Sequence, residues 1–125
     1  IPVTDKESAF STARELQKLN GGTVILTLGD QGAVTINCKD IWHTPAFKVE
    51  VRDTTAAGDA FIGGLVALLQ SGHTLKESVI HASAAGALAA SKFGAQPSLP
   101  TIKETTEFLF NRLPNLESLK KDHQR

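Results

Sequence analysis

The run DTTAAGDAF, Asp53 to Phe61, constrains this chain more than any other stretch. It reads as the end of a strand, a tight turn of small residues and the first turn of a helix. Before it, Lys48-Val49-Glu50-Val51 alternates polar and apolar, the pattern of a half-buried strand. After it, Phe61, Ile62, Leu65, Leu68 and Leu69 recur at helical spacing. A strand feeding a helix through small residues exposes backbone N–H groups at the helix start, where unpaired donors and the helix dipole both favour an anion. Asp59 stands in the middle of this stretch. It has two readings: a helix-start carboxylate satisfying local N–H groups, or a chemical group set beside a bound anion. Small residues before an Asp also suit any strand-to-helix turn.

The 125 residues make one domain's worth of chain, long enough for a real core. Thirteen basic and thirteen acidic side chains cancel, so charge gives no case for nucleic acid or an anionic membrane as partner. No apolar run approaches the ~20 residues of a membrane span, and no signal-peptide pattern is present. A single cysteine, Cys38, cannot form an internal disulfide, which favours a reducing, cytoplasmic setting; it reads as a small residue beside a strand. The chain opens Ile1-Pro2 and holds no methionine, so a piece of a longer or processed polypeptide is expected.

Thr4-Asp5-Lys6-Glu7 has the form of a capping box, followed by Phe10, Ala13, Leu16 and Leu19 as the apolar face of a helix that Asn20-Gly21-Gly22 would stop. Thr23 to Leu28 is a continuous β-branched run, the pattern of a strand buried on both faces, and helix, short turn and buried strand together predict an α/β protein with a parallel sheet. Residues 28–32 close that strand with a turn. Ala33 to Asn37 and Ile41 to Phe47 read as two short antiparallel strands joined around Lys39-Asp40. Trp42 and Phe47 read as packing groups, and His43, with no second metal ligand at a usable spacing, as structural or solvent-facing.

The helix after Asp59 runs to Ser71-Gly72. Gly63 and Gly64 inside it each cost about 1 kcal/mol relative to alanine, which points to close approach of a backbone, a ligand or a sheet. Thr74-Leu75-Lys76-Glu77 opens a third helix dominated by Ala, Ser and Gly through about Lys92, leaving room for a neighbouring helix or a flat nucleobase. Residues 93–100 form a loop with two prolines. Thr101-Ile102-Lys103-Glu104 caps a last helix whose apolar face holds Phe108, Leu109 and Leu113, and the tail from Asn115 is polar.

There is no G-x-x-x-x-G-K-[ST] loop, G-x-G-x-x-G fingerprint, H-E-x-x-H or C-x-x-C in the chain, and no serine has a nucleophile-elbow context. A helix-start anion hole holding a carboxylate remains. Phosphoryl transfer needs both parts: donors for the charge on the transferring group, and a base that orients the acceptor hydroxyl. The backbone N–H groups of Ala56, Ala57 and Gly58 are candidates for the first role and Asp59 for the second.

DTTAAGDAF resembles the second signature of the PfkB carbohydrate kinase family, commonly D-T-x-G-A-G-D, with Ala56 at the first glycine as in the ribokinase branch. TLGDQG (Thr27 to Gly32) is similar to the family's nucleotide turn, and GAQPSLPT (Gly94 to Thr101) to the loop near its monovalent-cation site. The resemblance covers about residues 5 to 110. It implies the C-terminal part of a ribokinase-like three-layer α/β/α fold with a mostly parallel sheet. Residues 1–125 would form a single partial domain, the nucleotide-binding C-terminal portion. The N-terminal half, its N-x-x-E motif, most sugar contacts and a β lid would be absent.

By the same resemblance Asp59 matches the catalytic aspartate that meets the sugar hydroxyl, and Ala56, Ala57 and Gly58 match the anion hole. Thr27, Leu28, Gly29, Asp30, Gln31 and Gly32 match nucleotide contacts along with Gly58 and Asp59. Ser83 stands where relatives often place an adenine-contacting Asn. Asp53 and the carbonyl of Thr55, with Ala89, Lys92 (through its backbone oxygen), Gly94 and Ser98, match a potassium site. The resemblance implies ATP, Mg2+ and K+ as cofactors and a small sugar, most plausibly ribose, as acceptor. It also implies a homodimer formed through the absent lid. Fructose, other sugars and nucleosides stay open as acceptors, as does a nucleotide-binding module without turnover.

Overall fold

The computed structural model describes residues 6–38, 40–91 and 100–112. The chain divides into two units, Ile1–Phe47 and Lys48–Arg125.

In the first unit, α1 (Lys6–Asn20) packs on a three-stranded sheet of β1 (Val24–Thr27), β2 (Ala33–Asn37) and β3 (Asp40–Thr44). Ala9 and Ala13 of α1 are buried against Val24, Val34 and Ile36, with Phe10, Leu26, Leu28 and Ile41 around them. Leu16 and Leu19, expected on the same helix face, are exposed, Leu19 by 85%. Successive steps of three residues fall back about 60° around a helix each time, so a 10, 13, 16, 19 series leaves the face on which it starts. Gly21 stops α1 as expected. It takes φ +71° and donates its N–H to the Gln17 carbonyl at 2.6 Å.

The sheet order is β1-β2-β3, and both pairings are antiparallel: Val24 faces Ile36, Thr27 faces Ala33, Ala33 faces Thr44 and Asn37 faces Asp40. The parallel pairing expected of the sheet is therefore not among the contacts of these three strands. Short connections explain why, since a parallel partner needs a crossover of a dozen residues or more. The strand buried on both faces is β2, where four successive residues are buried. In β1, Val24 is buried, Ile25 and Leu26 are half-buried and Thr27 is exposed. Among the described residues β2 has a sheet neighbour on each edge, whereas β1 has one. Residues 48–51, expected as a strand, are not one, and Val51 is exposed. Alternation alone does not make a strand without a ladder to join.

The second unit holds α2 (Ala57–Gln70), α3 (Leu75–Ala90) and α4 (Ile102–Phe110). Both later helices open on the capping boxes expected of them. Thr74 Oγ1 accepts the Glu77 N–H at 3.2 Å while Glu77 Oε1 accepts the Thr74 N–H at 3.1 Å, and Thr101 and Glu104 repeat the pair at 3.1 and 3.0 Å. Close crossing of α2 and α3 accounts for Gly64. A Cβ there would lie 3.2 Å from Ala85 Cβ and 3.3 Å from His81 Cδ2. The small side chains of α3 thus receive a neighbouring helix, whereas Gly63 is exposed. On α4, Leu109 is buried and the Arg112 guanidinium lies 3.7 Å from the centre of the Phe108 ring. Leu113 lies outside the described residues. Ile62, Val66 and Leu69 form an exposed apolar stripe along α2.

His81 is buried in α3, and its Nδ1 has no hydrogen-bond partner. Burial first, and the neighbouring His73 second, push its pKa down from 6.5 to about 4. A depressed folded-state value means that the unfolded chain takes up the proton first as pH falls. Stability is therefore level above about pH 7 and declines as pH falls from 6.5 toward 4. Between pH ~7.5 and ~5 this one group removes about 2 kcal/mol. Urea unfolding at the two pH values should show the loss, and His81→Leu should show it reduced by that amount. An equal pH dependence in the two proteins would refute the assignment.

Candidate active site

The N-terminus of α2 is built differently from those of α3 and α4. Its cap residue is Ala56, which has no side-chain oxygen, and no side chain caps the helix. The Ala60 N–H donates to the Ala56 carbonyl at 3.0 Å and starts the helical ladder. One of the three N–H groups expected to form an anion hole is already used: Ala57 donates to the Thr54 carbonyl at 3.2 Å. Ala56 is buried, whereas Gly58 and Asp59 are exposed. The backbone donors of Gly58 and Asp59 sit in the first turn, where the helix supplies no carbonyl four residues back. Of the expected set the Ala57 N–H is taken by Thr54, and the first-turn donors left open at the start of α2 are those of Gly58 and of Asp59 itself.

Among the described residues no N–H of this helix start donates to the Asp59 carboxylate. Its alternative reading, a carboxylate satisfying local N–H groups, is not realised. An exposed carboxylate in the first turn of an uncapped helix can accept a proton from a hydroxyl brought beside it.

The loop leading into α2 is held from two sides. Asp53 Oδ1 accepts the Thr55 N–H at 2.8 Å and also the Thr55 hydroxyl, so this carboxylate closes a turn around its own chain. The N–H groups of Arg52 and Asp53 both donate to the Ala90 carbonyl near the end of α3, at 2.8 and 3.1 Å. Nearby, Ala60 packs against Ala85 and Ala89, and a Cβ on Gly86 would lie 3.3 Å from the Ala57 carbonyl. The last turns of α3 therefore hold the loop before α2 in place.

Of the residues matched to a potassium site, Asp53, Thr55 and Ala89 are thus brought to one end of the α2–α3 pair. Lys92, Gly94 and Ser98 lie outside the described residues. Oxygen donors suit an alkali cation, but the Asp53 oxygen nearest Thr55 is engaged by that residue. Among the described residues no group of three or more His, Cys, Asp or Glu side chains is placed to hold a metal ion.

Thr27 to Gly32 form one turn in the first unit, a 3-10 turn over Gly29–Gln31. Leu28 donates its N–H to the Gly32 carbonyl at 2.7 Å, and Gln31 donates to the Leu28 carbonyl at 3.1 Å. Thr27, Gly29, Asp30 and Gln31 are exposed, Leu28 is half-buried and Gly32 is buried. Ser83 is half-buried on α3 in the second unit. His43 was read from the sequence as structural or solvent-facing, and here its Nε2 lies 2.6 Å from the Gln31 carbonyl oxygen. No spacing rule would have found this contact, because β3 reaches the turn only through the sheet register.

The family model for pfkB family carbohydrate kinases matches residues 2–102. Over 109 residues the chain is 38% identical to a ribokinase from Haemophilus influenzae, covering 87% of this chain and 36% of that protein. It is 41% identical over 93 residues to fructokinase-1 from Zea mays, covering 69% and 29%. Among solved structures, a ribokinase from Arabidopsis thaliana complexed with ribose and ATP superposes with a TM-score of 0.78 at 26% identity, covering 86% of this chain and 35% of that one. The chain spans about a third of the length of the relatives it matches. No helix among the described residues is long and apolar enough to cross a membrane. The uncapped helix with its aspartate, the ribokinase-like α/β fold and the family match agree: this chain belongs to the pfkB family of carbohydrate kinases.

Proposed function

We propose that the protein carrying this chain transfers the γ-phosphoryl group of ATP to a primary hydroxyl of a small sugar, giving ribose 5-phosphate from ribose. The observation that carries this reading is the exposed Asp59 in the first turn of the uncapped helix α2. The sugar hydroxyl donates a hydrogen bond to the Asp59 carboxylate, which directs the oxygen lone pair at the γ-phosphorus. As the new O–P bond forms and the bond to the β-phosphate oxygen breaks, the hydroxyl proton passes to Asp59 and ADP leaves. In a loose transition state the proton moves late, so orienting the hydroxyl counts for more than the basicity of the carboxylate. The N–H groups of Gly58 and Asp59 face the negative charge that develops on the transferring oxygens. The turn from Thr27 to Gly32 and Ser83 contact the nucleotide. Magnesium, when bound, neutralises phosphate charge.

Asp53, the Thr55 carbonyl, Ala89, Lys92, Gly94 and Ser98 would hold a potassium ion that braces the loop. Similarity to the ribokinases supports ribose as acceptor. Similarity to the maize fructokinase supports fructose as a second reading. The test is ADP release from ATP with each sugar in turn, in potassium and in sodium buffer. Ribose should give the fastest turnover, and potassium should stimulate it. Turnover with no sugar of the panel would sink the kinase reading, and equal rates in sodium would remove the cation site.

A further inference from the structure

We infer that His43 is a positioning residue for the nucleotide turn, tethering it to β3 through the Gln31 carbonyl. The inference rests on the reading of residues 27–32 as nucleotide contacts. His43 lies on β3 opposite Val34, one register step from the Ala33–Thr44 pair at the start of β2. From there its Nε2 reaches back to 2.6 Å from the Gln31 carbonyl oxygen. A carbonyl only accepts, so Nε2 carries the hydrogen and donates it.

The next residue supports the same contact. Gly32 adopts φ +91°, and a Cβ there would overlap the Thr44 carbonyl oxygen and come within 3.0 Å of both His43 Nε2 and the Ala46 nitrogen. Glycine at 32 therefore lets the turn sit against His43 and Thr44, and the imidazole fastens it there. Among the described residues the turn's remaining hydrogen bonds, Leu28 to Gly32, Gln31 to Leu28 and Gly32 to Gly29, are all internal to it. They fix the shape of the turn. The His43 bond fixes the turn's position on the sheet. A turn that is held in place before the nucleotide arrives loses less freedom on binding, and that gain appears in nucleotide affinity.

The test is steady-state kinetics on the enzyme carrying this chain, with His43→Ala, His43→Gln and His43→Asn. A Gln amide nitrogen reaches about as far as Nε2, and an Asn nitrogen stops short of it. His43→Ala should raise the KM for ATP about tenfold, with a smaller change in turnover at saturating ATP. The KM for the sugar should stay within about a factor of two of the parent. His43→Gln should recover most of the ATP affinity, and His43→Asn should not. An unchanged ATP KM in His43→Ala overturns the inference. So does a loss of turnover with ATP KM preserved, which is what a merely structural histidine would show. If the parent protein itself neither binds nor uses ATP, the nucleotide reading falls and this inference falls with it.

Discussion

Replacing Asp59 by asparagine should lower turnover by about three orders of magnitude while leaving the KM for ATP nearly unchanged. The amide has almost the same shape as the carboxylate, and Asp59 is exposed, so packing is unaffected. Helix α2 loses only an acidic first-turn residue, a cost of about 0.3–1 kcal/mol. What disappears is the acceptor for the hydroxyl proton. Nucleotide binding should survive, because the donors proposed to meet the phosphates are backbone N–H groups, which the substitution retains. A variant with parental turnover would remove Asp59 from the chemistry. A variant with equal losses in ATP affinity and turnover would make it a binding group instead.

The second large effect is on stability. Gly32→Val should destabilise the first unit by about 3 kcal/mol or more. Its φ of +91° and ψ of −143° lie near a region that essentially only glycine occupies, and the added Cβ would overlap the Thr44 carbonyl oxygen. Relief of the clash would separate β2 from β3 at the Ala33–Thr44 pair and break the Leu28–Gly32 bond of the turn. Gly21 is the control. It also has positive φ (+71°), but among the described residues no neighbouring atom lies within 4 Å of the Cβ position, so Gly21→Ala should cost only about 1 kcal/mol. Urea unfolding midpoints of the two variants measure the difference, and similar costs at the two sites would contradict the close packing of Gly32 on β3.

Much of this architecture was legible because the signals are local. The Thr74–Glu77 and Thr101–Glu104 boxes need only three-residue spacing, and both form. Gly21 ends α1, and residues 33–44 pair as an antiparallel hairpin. Non-local features were not legible. Val49 and Val51 alternate like a strand, but the N–H groups that follow go to the end of α3. β1 and β2 are both β-branched, and only sheet order shows which is covered on two sides. At the site, the placement of Asp59 at a helix start was readable. The use of the Ala57 N–H by Thr54 was not, since it depends on how tightly the turn winds. The Asp53–Thr55 contact could have been read from the Asp-x-Thr spacing, a familiar turn-forming pattern. Gly64 and His43 act on partners that no periodicity connects to them.

The most direct measurement is an NMR titration of the protein carrying this chain with a non-hydrolysable ATP analogue and magnesium, followed at backbone amides. The amides of Gly58 and Asp59 should shift on binding, while Cys38 at the tip of the hairpin stays in place. Shifts elsewhere, with Gly58 and Asp59 unmoved by saturating nucleotide, would contradict the placement of phosphoryl transfer at the start of α2.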